Sequence, residues 1–121
     1  MKNHYIFAIA VASGLLFLCC SVSMAENTLT PTILLEHSTA YDGQHVTVKG
    51  EVRNIESKTS HRGNAYEIFK LCDESCVSVF TWGNPKLSEG QAETVRGTFS
   101  VDKHVGQYIF HNEIEADDSS L

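Results

Sequence analysis

Three aromatic side chains on two neighbouring strand-like segments, Tyr66, Phe80 and Trp82, are the residues best suited to chemistry here. Segments 65–71 and 77–82 alternate with period 2, which sends successive side chains to opposite faces. Phe69, Leu71, Val77 and Val79 fit the interior. Tyr66, Ile68 and Lys70, with Ser78, Phe80 and Trp82, are then left outside. An aromatic surface of this kind stacks on bases at roughly 1–3 kcal/mol each, and also serves sugars and protein partners. Either it is open to such a ligand, or the N-terminal helix or the 83–90 loop covers it as a second small core.

A second constellation is cationic. Lys58, His61 and Arg62 fall in a polar stretch, 56–64, and Lys103 and His104 in a turn, 102–107. If those loops share a rim they form a local anion site, opposed in part by Glu56 and Asp102; otherwise they are ordinary solvated loops.

The two cysteines Cys72 and Cys76 enclose Asp73-Glu74-Ser75 at the tip of a hairpin. In an exported chain this pair reads as a structural disulfide. The separation is not the two-residue spacing of redox pairs, and acidic neighbours disfavour a reactive thiolate. No second Cys or His pair stands at zinc spacing, so no metal or other cofactor is expected; His61 and His104 are the one pair that could meet across the rim. Gly-x-Ser-x-Gly, phosphate-loop and His-Glu-x-x-His motifs are missing from the sequence, so no catalytic residue is assigned and a non-enzymatic protein is expected.

The elements that must position these groups follow from pattern. Residues 1–25 read as a signal peptide: Lys2, an apolar run over 6–20, and small residues Ser23 and Ala25 at the −3 and −1 positions. The run is shorter than the roughly 20 residues of a spanning helix. A retained anchor and lipidation at Cys19 or Cys20 are the alternatives, although Leu18 is large for a lipoprotein cleavage site. Cleavage would remove Lys2 and no acidic residue, moving the formal charge from −6 to −7. Such a domain is a poor generic polyanion binder. The expected location is periplasmic or secreted, with no stable membrane span after cleavage.

Residues 26–41 form an extension with a short helix, opened by Thr30 as cap and Pro31 in the first turn. Five strands follow, over 45–55, 65–71, 77–82, 92–101 and 108–114. Gly50 in the first marks a bend. The tail, 116–121, is acidic and expected to fray.

Two stretches carry a resemblance. Asp42-Gly43-Gln44-His45-Val46-Thr47-Val48-Lys49-Gly50-Glu51-Val52 is similar to the start of oligonucleotide/oligosaccharide-binding (OB) domains of the tRNA-anticodon-binding type. The stretch from Gly90 to Phe99, with Val95-Arg96-Gly97, resembles their fourth strand, and Asn112-Glu113-Ile114-Glu115 their last. The small exported OB-fold proteins of bacterial envelopes are also similar. The resemblance covers 42–115 and implies an all-β, five-stranded Greek-key barrel. Its ligand would lie on strands two and three, flanked by the first and last hairpin loops. The expected ligand is an oligomeric anion, a single-stranded nucleic acid or a glycan, held by Tyr66, Phe80, Trp82, Lys58, His61, Arg62, Lys103 and His104. The alternative is a protein-interaction or envelope-stress module that uses the same aromatic face.

Overall fold

Alternating β-branched and polar residues settle into strands where each can bury one face, and here five do so around one interior. The computed structural model describes residues 27–118 and 121; residues 1–25, on which the expectation of a signal peptide falls, lie outside the described residues. The strands are β1 (His45–Thr59), β2 (Ala65–Cys72), β3 (Cys76–Trp82), β4 (Ala92–Val105) and β5 (Tyr108–Ala116). They close into a ring in the order β1-β2-β3-β5-β4. Every pairing is antiparallel except β3 with β5, which is parallel.

Period 2 accounts for most of the inward side chains. Val46, Val48, Val52, Phe69, Leu71, Val77, Val79, Val95, Phe99 and Ile114 are buried in one cluster. Two glycines permit the close approaches that closure needs. A Cβ at Gly50 would lie 2.9 Å from the carbonyl oxygen of Cys72, where β1 crosses the end of β2. A Cβ at Gly97 would lie 2.2 Å from the carbonyl oxygen of Glu115, where β4 meets β5.

The two ends of the ring are sealed differently. At one end stands a short helix, α1 (Pro31–Glu36), followed by a single turn, α2 (Ser38–Tyr41). Thr30 caps α1, its hydroxyl accepting from the backbone N–H of Ile33 at 3.2 Å, and Pro31 takes the first helical position. Leu34 of α1 is fully buried in the interior cluster. The turn between β2 and β3 is closed by the Cys72–Cys76 disulfide. From it, Asp73 Oδ1 accepts the backbone N–H of Thr32 at 3.1 Å and its hydroxyl at 2.6 Å. At the far end of the same strand pair the inward positions turn polar. Ser57, Glu67 and Thr81 sit side by side across β1, β2 and β3.

Several boundaries differ from the pattern reading. β1 runs on to Thr59 and β4 to Val105, so Lys58, Lys103 and His104 are strand residues, not loop residues. Charged side chains on both strands hid this: the two hairpins extend past the buried interior, where no apolar alternation is required. Cys72 and Cys76 end and begin strands, leaving only 73–75 as the turn. The tail is also tied down further than expected. Ala116 is buried in β5, the Asp117 N–H donates to the Arg96 carbonyl at 2.9 Å, and Leu121 packs against the interior cluster.

Candidate functional site

The outer face of β2 and β3 carries the aromatic trio. Tyr66 pairs across the strands with Trp82, and Ile68 with Phe80, so period 2 places all four on one surface. The Tyr66 and Phe80 rings stack with centroids 5.2 Å apart and planes 27° from parallel. Trp82 stands edge-on to both, 5.8 Å from Tyr66 at 69° and 5.0 Å from Phe80 at 86°. Two rings thus form a floor and the indole a wall, the offset and edge arrangements that ring quadrupoles favour. Trp82 is 46% exposed. Neither α1 nor the 83–90 loop borders this groove; the loop instead packs Leu87 on the interior, and Glu89 accepts the backbone N–H groups of Asn54 and Ile55.

The groove encloses a cavity of about 370 Å³. Thr59, Ser60 and His61 of the first hairpin bound one side, and Val105 and Phe110 of the last bound the other. On its floor Lys103 reaches over the Phe80 ring, Nζ 5.2 Å from the centroid, a cation–π contact. The ammonium lies 2.6 Å from Glu115 and 3.4 Å from Glu113. Parallel pairing of β3 with β5 explains the placement, since it sets Glu113 beside Ser78 and Glu115 beside Phe80.

Glu113 is only 5% exposed. Burial pushes its carboxyl above the ordinary glutamate value, and the neighbouring Lys103 ammonium offsets this only in part. Burial works against the Lys103 ammonium too, but its bond to Glu115 and the charges of both carboxylates win, and its pKa is raised.

The five cationic residues named from the sequence do not all border the groove. His61 and Lys103 border the groove. Lys58 lies on β1, its Nζ 3.7 Å from Glu56. Arg62 is exposed at the tip of the first hairpin, and His104 is exposed on β4 opposite Ile109. The one lysine that reaches the aromatic floor is engaged by two carboxylates. Glu113, Glu115, Val105 and Phe110 escaped the sequence reading as groove residues, because only the β3–β5 pairing and the extended last hairpin bring them to β3. Among the described residues no cluster of three or more His, Cys, Asp or Glu is placed to hold a metal ion.

No protein-family model and no curated protein matches this chain. Among solved structures it is similar to a candidate nucleic acid-binding lipoprotein from Klebsiella pneumoniae subsp. pneumoniae MGH 78578. The TM-score is 0.56 at 20% identity, over 74% of this chain and 87% of the other. At that identity the likeness speaks to the fold alone.

Proposed function

We propose that this chain is an exported, non-enzymatic OB-fold binding protein that holds an oligomeric ligand, a single-stranded nucleic acid or a glycan, across β2 and β3. The observation that carries this reading is the open aromatic corner of Tyr66, Phe80 and Trp82 between two projecting hairpins. The strand order β1-β2-β3-β5-β4 supports a Greek-key OB barrel, whose ligands generally lie on that face. The nucleic-acid role named for the Klebsiella protein of similar fold is consistent with it. The Cys72–Cys76 disulfide fits an oxidising compartment, periplasmic or extracellular.

Binding here is stacking and hydrogen bonding, with no covalent step. Rings of the ligand lie on the Tyr66–Phe80 floor against the Trp82 wall, and Lys103, Glu113 and Glu115 supply polar contacts at their edges. The 102–111 hairpin favours a second reading. Val105, Tyr108, Ile109 and Phe110 are all exposed, Tyr108 at 62%, and an apolar tip of this kind suits a protein partner.

Trp82 is the only tryptophan, so its emission reports on the groove. Titration with oligothymidylate and with neutral and acidic hexasaccharides should give a saturable change with one class, weakened at least tenfold by Phe80→Ala. A Trp82 spectrum indifferent to all of them, with a dimer or copurifying protein lost on Tyr108→Ser, would replace this reading with the second.

A further inference from the structure

A neighbouring cavity shares Thr59 and Tyr66 with the groove. Its volume is about 220 Å³, and Ser57, Glu67, Gly83 and Asn84 also border it. Glu67 is only 4% exposed. Its Oε2 accepts the Ser57 hydroxyl at 3.0 Å, while Oε1 is buried without a hydrogen-bond partner. Buried carboxylate oxygens are costly to leave unmatched. A ligand that brings a hydrogen-bond donor to this cavity would recover that cost.

The charges around both cavities point the same way. The lysines of this face are all engaged: Lys103 lies against Glu113 and Glu115, and Lys70 donates to the Ser78 hydroxyl at 2.7 Å beside Glu113. The next cavity adds the Glu67 carboxylate, with Lys58 at its border already beside Glu56. Around them the chain carries 15 acidic and nine basic residues. A phosphodiester backbone brings one negative charge per unit and no hydrogen-bond donor of its own, and its affinity rests largely on cations neutralising phosphate. A sugar ring brings no net charge, an apolar face for the aromatic floor, and hydroxyl donors on every unit for carboxylate acceptors. Hydrogen bonds to ionised acceptors are the strong ones.

We propose that the groove takes an uncharged, hydroxyl-rich glycan, one ring on the Tyr66–Phe80–Trp82 corner and the next turned past the Tyr66 edge to the polar end of the strand ring, where the inward-facing Glu67 receives it. This rests on the binding-module reading above and fixes its ligand class. Glu67 is then a specificity residue: its unpartnered oxygen selects a ligand that brings a hydrogen-bond donor.

The test is calorimetric titration of the protein with cellohexaose, chitohexaose, maltohexaose and oligothymidylate, at about 20 and about 500 mM salt, with Glu67→Gln alongside. Glu67→Gln keeps the shape but replaces one of the two acceptor oxygens by an amide N–H2 donor. The expected result is that at least one hexasaccharide binds, that its Kd changes less than twofold across that salt range, and that Glu67→Gln weakens it about tenfold. Binding of oligothymidylate with a steep salt dependence, and of no hexasaccharide, overturns the glycan class and leaves the binding module standing. No heat from any of the four overturns both. Glycan binding unchanged in Glu67→Gln overturns the Glu67 subsite. The wild-type salt comparison decides the ligand class even if the variant fails to fold.

Discussion

The hydroxyl of Thr32 lies 2.6 Å from Asp73 Oδ1, joining the first turn of α1 to the disulfide-closed turn between β2 and β3. The same oxygen accepts the Ser75 N–H at 3.2 Å. Slight burial would raise the Asp73 pKa, but bonds from Thr32 and Ser75 outweigh it and hold the carboxyl below its usual 3.8. A depressed folded pKa stabilises the fold above the unfolded value and is lost as pH falls through the folded one. Asp73→Asn should therefore lower the melting temperature at neutral pH, with the deficit vanishing at acid pH below the depressed value. Thermal melts from neutral pH down through that window check this.

Because the disulfide shapes that turn, the two features should be coupled. Replacing both cysteines by serine should cost at most about 3 kcal/mol, since the closed loop is short. In that background Asp73→Asn should cost less than in the oxidised protein. A double-mutant cycle measures the difference, and strict additivity would show the turn holds Asp73 in place unaided.

Glu113 predicts an opposite pH trend. Its carboxyl is raised above 4.5 by burial, against the pull of Lys103. The folded chain thus holds that proton to higher pH than the unfolded chain does. The sign follows: this contribution is present below about 4.5 and lost as pH climbs through the raised value. Glu113→Gln should remove that segment of the stability profile. Urea midpoints for both proteins across mildly acid pH provide the check.

Gly97 limits how β4 meets β5. With a Cβ position 2.2 Å from the Glu115 carbonyl oxygen, Gly97→Ala forces the strands apart. The expected cost is about 3 kcal/mol, at the upper end of overpacking effects. Glu115 and Glu113 lie on the strand that moves, so the variant should also shift the Lys103 side-chain resonances. Chemical denaturation and proton NMR measure the two effects.

Much of the fold was legible because its interior obeys a strict period of two. Val46, Val48 and Val52, then Phe69 with Leu71 and Val77 with Val79, face inward as the alternation dictates, and Thr30-Pro31 announced the helix start. The outward position of Tyr66, Phe80 and Trp82 follows from the same parity. What sequence could not supply was pairing between distant strands. Glu113 and Glu115 flank Ile114 and read as solvent-facing acids, until parallel pairing with β3 sets them beside Ser78 and Phe80. Thr47 likewise alternates as an exposed residue, yet it is buried in β1 beside the Leu29 segment, whose N–H donates to the Thr47 carbonyl and whose carbonyl accepts the Lys49 N–H. The place of Lys103 was hidden for a related reason: it is held over the aromatic floor by two carboxylates that only the folded topology brings there.

Amide and indole N–H NMR would map where an oligomer binds. Hexasaccharides and oligothymidylate would be titrated into the wild type and into Tyr66→Ala. A ligand in the groove should give saturable shifts of the Trp82 indole and of amides in β2, β3 and the 59–61 and 103–110 segments, lost in Tyr66→Ala while the rest of the spectrum is retained. Saturable shifts confined elsewhere, for instance to α1 or the 83–90 loop, and intact in Tyr66→Ala, would contradict binding in the groove.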